Sequence, residues 1–102
     1  MAKYALTLEA DADLDGIVDY TRRQWGDDQA RRYLAQLRLC IEQIVAERGR
    51  YKIETAFSLP VRVLRCQHHY IYSLPRAEEP DLILAILHER MDLVARIAER
   101  LE

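Results

Sequence analysis

His88, Glu89 and Arg90 follow directly on the longest uninterrupted apolar run of the chain, Leu82 to Leu87, so ionisable groups stand at the end of its most buried stretch. An imidazole, a carboxylate and a guanidinium in that position could act on a phosphoryl group. Arginine forks stabilise phosphoryl charge, and His88 or Glu89 could take the proton of a 2′-hydroxyl, without any metal. Arg62 and Arg65 in an earlier β-prone run, with Arg50 and Lys52 before it, supply further cations. Two facts weigh against a catalytic set. Arg62 and Arg65 are three residues apart in a strand and should face opposite sides, and any folded protein of this composition carries such groups on its surface. Cys66, His68, His69 and His88 are metal-ligand types, but strand neighbours point to opposite faces, so a polar turn plus one strand histidine is the simpler reading. Tyr20, Trp25 and Tyr33 could stack on bases. At helical spacing among aliphatic residues they read instead as core or its edge. The chain has no glycine-rich phosphate loop and no nucleophile elbow, and His88-Glu89 lacks the second histidine of a zinc-protease helix.

The elements that position these groups follow from periodicity. Leu82 to Leu87 shows no alternation and is bounded by Pro80, the pattern of a central strand covered on both faces. Lys3 to Leu6 forms a short first strand. Thr7 caps a helix that starts near Leu8, carries Glu9, Asp11 and Asp13 in its first turns, and ends at Gly26. Ala10, Leu14, Ile17, Val18, Thr21 and Trp25 lie on one face of it. Asp27 or Asp28 caps a second helix, with Ala30, Tyr33, Leu34, Leu37, Cys40, Ile41, Ile44 and Val45 on one face, running down to Gly49. Arg50 to Pro60 reads as a loop. Val61 to Cys66 and His69 to Leu74 form a hairpin turning at Gln67 and His68, and Pro75 to Pro80 is a surface loop. Asp92 caps a last helix with Leu93, Val94, Ile97, Ala98 and Leu101 on one side. The expected fold is therefore α+β, ordered β-α-α-β-β-β-α, with a helical hairpin on a small, mainly antiparallel sheet, as a single domain over residues 1–102.

Composition narrows the function. The net charge is −2; residues 1–47 hold six Lys/Arg against nine Asp/Glu, and residues 48–102 hold nine against eight. Neither half is the basic body of a protein that grips nucleic acid through phosphates. There is no signal-peptide pattern and no long apolar span, so a cytoplasmic location and no membrane partner are expected. Cys40 and Cys66 are far apart in sequence and outside any C-x-x-C pattern, and read as reduced thiols rather than a disulfide or zinc pair.

Leu6-Thr7, Ala10, Asp13-Leu14, Ile17, Tyr20, Trp25-Gly26, Gln29-Ala30, Arg62, Ile86-Leu87-His88 and Met91-Asp92 occur in an order that resembles the ParE branch of the RelE/ParE toxin superfamily of type II toxin-antitoxin modules. The resemblance runs from Lys3 to Leu101. Leu74-Pro75 and His68-His69 depart from the usual ParE hairpin. The resemblance implies a toxin that inhibits DNA gyrase by direct binding rather than by catalysis, with no cofactor and no metal, and with no specific DNA binding of its own. It also implies a ParD-like antitoxin that forms a hetero-oligomer with it, folding as a helix, with an added strand at the sheet edge, onto Leu14, Ile17, Tyr20, Tyr33 and Leu37. The expected target surface is Arg62, His88, Arg90, Met91 and Arg96, where the end of the central strand, the hairpin strand bearing Arg62 and the start of the last helix should meet. The alternative is a RelE-like ribosome-dependent, metal-independent mRNA endoribonuclease with Arg62, Arg65, His88 and Glu89 as its catalytic set. His88 falls where some RNA-cutting relatives place a functional histidine, while the slightly acidic charge favours gyrase.

Overall fold

A computed structural model describes residues 4–48 and 50–101. The first strand, β1, is Tyr4–Leu6, and its expected start at Lys3 lies outside the described residues. Thr7 is extended, and its Oγ1 accepts the Ala10 N–H at 3.0 Å, which fixes the start of α1 (Leu8–Trp25). Gly26, at φ 91, ends α1 with its N–H donated to the Arg22 carbonyl, a backbone that an L side chain would strain. The same glycine begins α2 (Asp27–Val45) with no side-chain cap. Asp27 and Asp28, expected as caps, instead occupy the first turn, where their charges suit the helix dipole. The expected end of this helix at Gly49 lies outside the described residues; α2 stops at Val45.

Four more strands and a helix follow: β2 (Lys52–Glu54), β3 (Val61–Cys66), β4 (His69–Leu74), β5 (Asp81–His88) and α3 (Leu93–Leu101). The expected Arg50 to Pro60 loop thus contains an edge strand. Three residues are too few to show a period, and β2 is held by pairing with β3 rather than by its own pattern. The sheet order is β1-β5-β4-β3-β2, with β1 parallel to β5 and the other pairs antiparallel.

β5 is interior and covered on both faces. On one side Ile83 and Ile86 join Leu64, Ile71 and the helical hairpin's Ala10, Leu37, Ile41 and Ile44. On the other, Leu84, Ala85 and Leu87 pack with Val61, Tyr72 and Ile97 of α3. A bulge explains the phase: Tyr72 pairs with Ala85 and Ser73 with Ile83, so Leu84 is an extra residue and Ile83 and Ile86 share a face despite odd spacing.

Cys40 and Cys66 form a disulfide, contrary to the reduced thiols expected. α2 lies across β3, which brings the two Cα atoms to 6.2 Å although the residues are 26 apart in sequence, a proximity that spacing alone does not reveal. Closing that loop restricts the unfolded chain. Reductant, or Cys40→Ala, is expected to lower the unfolding free energy by about 3 kcal/mol in urea titration; an unchanged midpoint would show that the cross-link carries no stability.

β1 borders β5 only from Asp81 to Ile83. Beyond it, helix side chains take the place of a neighbouring strand. Thr7 donates its N–H to the Ile83 carbonyl at 3.1 Å and its hydroxyl to the Leu84 carbonyl at 3.3 Å. Asp13 Oδ2 accepts the Ile86 N–H at 3.0 Å. Arg100 of α3 donates to both Asp13 oxygens, at 2.6 and 2.9 Å, and to the Leu84 carbonyl at 3.0 Å. Both side chains of the pair are only 16% exposed. The hydrogen bond to Asp13 first, and its charge after that, hold the Arg100 guanidinium above its ordinary pKa. A single latch thus ties α1, β5 and α3 together.

Candidate functional site

The turn between β3 and β4, with Gln67 at φ 58, brings His68 beside the start of β4, and the register sets His69 opposite His88. All three histidines therefore gather at one end of the sheet, closer together than the sequence reading placed them. The His69 and His88 rings meet edge-on at 5.2 Å, and His68 stacks on His88 at 6.5 Å. Tyr33 of α2 sits 2.6 Å from His69 Nδ1. His68 Nδ1 is 2.9 Å from Glu89 Oε2, and Arg65 donates to Glu89 Oε1 at 2.7 Å. The Arg90 N–H donates to His88 Nδ1 at 3.1 Å, so a neutral His88 carries its proton on Nε2.

A groove of about 820 Å³ opens beside this cluster, between α1 and the end of β5. Ile17, Tyr20, Trp25, Tyr33, His88 and Met91 are among its walls. Tyr20 is 63% and Trp25 72% exposed, which corrects their assignment to the core or its edge. The C-terminal half of α1 runs past the short β1, so the helix face that packs at Ala10 overhangs open space at Tyr20 and Trp25.

Burial, and then the charges of His88 and His68, pull the His69 pKa down to about 4; Glu89 and Asp13 oppose this more weakly. The hydrogen bond from His68, followed by the charge of Arg65, holds Glu89 below its usual range. Desolvation raises Tyr33. In the folded chain His69 is thus uncharged near neutrality, whereas in the unfolded chain it titrates near 6.5. Between those values the unfolded state binds the extra proton. The stability gained from a neutral His69 is full above pH 6.5 and falls toward pH 4, by about 2 kcal/mol once its partial exposure is allowed for. Thermal melts from pH 7.5 to 4.5 are expected to fall more steeply for the native chain than for His69→Gln. Equal slopes would count against this titration.

Of the expected antitoxin contacts, Ile17, Tyr20 and Tyr33 line the groove, Leu14 packs against the hairpin core, and Leu37 is fully buried and cannot meet a partner. Of the expected target contacts, His88, Arg90 and Met91 line the same groove, and Arg96 is exposed on α3. Arg62 is elsewhere, which corrects its grouping with His88. It pairs with Ser73, four residues and about 13 Å along β3 from the His69 end. There it donates to Glu47 at 2.6 Å and lies over the Tyr51 ring. The proposed nuclease set is split in the same way, with Arg65, His88 and Glu89 together and Arg62 apart. Arg62 and Arg65 do face opposite sides, Arg62 on the Tyr51 side and Arg65 over Tyr70. The Asp13–Arg100 latch is the feature that sequence reasoning missed as a site; its one signal was a carboxylate bordering the apolar stripe of α1.

A family model described as the ParE toxin of type II toxin-antitoxin system, parDE, matches residues 4–93. The chain belongs to the ParE toxin family. It is 52% identical, over 100% of its length and 99% of the relative's, to a protein named Toxin ParE from Escherichia coli. It is 29% identical to Toxin ParE1 of Caulobacter vibrioides, over 95% of this chain and 99% of that one. It is likewise 29% identical to Toxin ParE1 of Mycobacterium tuberculosis, over 90% and 94%. A solved structure of a chromosomal ParDE TA system from P. aeruginosa superposes with a TM-score of 0.66 at 22% identity, covering 86% of this chain and 96% of that one. That likeness establishes the shared α+β ParE fold. Among the described residues of this ParE-family chain, no helix is long and apolar enough to cross a membrane.

Proposed function

We propose that this chain is the toxin of a ParDE module, that it inhibits DNA gyrase by binding it, and that a ParD-like antitoxin neutralises it. The observation that carries the reading is full-length 52% identity to an Escherichia coli protein named Toxin ParE; gyrase as the target is what the family resemblance implies. His88, Arg90, Met91 and Arg96 form the target-binding surface, and Ile17, Tyr20 and Tyr33 contact the antitoxin. The site's chemistry supports binding over cleavage. Arg62 lies away from the histidines, and Glu89 is engaged by both Arg65 and His68. Expression of the chain without its antitoxin is expected to arrest growth with broken chromosomal DNA, and co-expression of the small protein encoded beside it to restore growth. Arrest with intact DNA and cut messenger RNA would favour the endoribonuclease alternative.

A further inference from the structure

Two ties hold the middle of α2 against the turn between β3 and β4. Tyr33 reaches His69 Nδ1 at 2.6 Å, and about two helical turns further on, on the same face of the helix, Cys40 is joined to Cys66. His69 and Cys66 stand opposite each other in the hairpin register, so both ties end on the residue pair that closes the turn. Tyr33, His68 and His69 line the groove, and the disulfide anchors the helix and the turn that carry them. Without the bridge, the Tyr33 hydrogen bond and the packing of Leu37 and Ile41 remain, and apolar packing is non-directional, a weaker brake on rotation of the helix. Both redox states are provided for. Cys66 is 3% exposed whereas Cys40 is half-buried, so an attacking thiolate reaches Cys40 Sγ first. The Gln36 carbonyl lies 3.6 Å from Cys66 Sγ, an acceptor within reach of the S–H that reduction creates.

We propose that the bridge between Cys40 and Cys66 is a redox-responsive staple of the groove wall: closed, it holds Tyr33 and His69 in place for the antitoxin, and opened by a small thiol such as glutathione, it releases the wall and weakens that contact. This rests on the toxin-antitoxin reading above and deepens it. In the opening step a thiolate attacks Cys40 Sγ, forms a mixed disulfide there and expels Cys66 Sγ as a thiolate, which takes up a proton. A second thiolate attacks the small molecule's sulfur, frees Cys40 as a thiolate that is protonated in turn, and departs as the small disulfide, so two electrons pass to the protein. The small disulfide reverses both steps. An oxidising shift therefore tightens the complex, and a reducing one loosens it and releases toxin.

The test sets the toxin, alone and with the small protein encoded beside it, against glutathione couples from reducing to oxidising, with circular dichroism to verify that each form is folded. Thiol trapping and mass spectrometry are expected to show reversible conversion between the bridged and the dithiol chain, with glutathione carried on Cys40 at intermediate poise. The neighbouring protein is expected to bind the reduced toxin about tenfold more weakly than the oxidised one, and Cys40→Ala as weakly as the reduced chain at every poise. Amide hydrogen exchange in the free toxin should quicken on reduction at Tyr33 and His69 more than along β5. Equal affinity for the two redox states, or an affinity that follows the poise in Cys40→Ala as well, overturns the inference and leaves the toxin-antitoxin reading standing. A bridge that resists thiols until the chain unfolds also overturns it. If the neighbouring protein binds neither state, both fall together.

Discussion

Replacing Leu84 with aspartate is expected to unfold the chain or bring it close to unfolding. Leu84 is 4% exposed and sits in the cluster that joins β5 to Ile97 of α3, so the new carboxylate would be buried among apolar side chains, while the nearby Arg100 is already engaged by Asp13. Such a group costs about 4 kcal/mol or more, against a total stability on the order of 5–15 kcal/mol for a domain of this kind. Leu84→Met keeps the volume and should cost about 1 kcal/mol, which separates burial of charge from mere disturbance of packing. Urea titration followed by circular dichroism measures both. If Leu84→Asp matched Leu84→Met, β5 would not be the buried element described here.

Asp13→Ala is expected to cost about 3 kcal/mol, more than its partial exposure on α1 would imply. The substitution leaves the Ile86 N–H and the largely buried Arg100 guanidinium without their acceptor. Asp13→Asn retains an acceptor for Ile86 and should lose about half as much. Hydrogen exchange adds a local signature: the amides of α3, which is fixed by Ile97 and this latch, should exchange faster in Asp13→Ala than those of α2. Uniform acceleration over both helices would show that the latch does not hold α3 specifically.

Much of this architecture was legible because its causes are local. The covered strand shows as an apolar run without alternation, Thr7 and Gly26 mark both ends of α1, and the hairpin turn falls between Cys66 and His69. What stayed hidden depends on which elements lie across one another. The disulfide needs α2 to cross β3 at Cys40. Tyr20 and Trp25 satisfy the helical period that marks a core face, yet are exposed because β1 ends too soon to cover them. Leu37 has the same periodicity and is buried, since the sheet does extend beneath α2. The position of Arg62 was recoverable. A turn at Gln67 and His68 puts Arg62 at the far end of the hairpin, and antiparallel pairing of β4 with β5 puts His88 at the near end, so register separates two residues that share only a chemical type.

The most direct test of the proposed function sets two purified targets side by side. Toxin freed from its antitoxin is titrated into gyrase with relaxed plasmid and ATP, and in parallel into ribosomes translating a defined messenger. The expected result is loss of supercoiling with accumulation of cleaved plasmid at toxin concentrations comparable to gyrase, reversed by antitoxin, and an intact messenger. Supercoiling that continues at toxin excess while the messenger is cut on the ribosome would contradict the account and place Arg65, His88 and Glu89 in an active site.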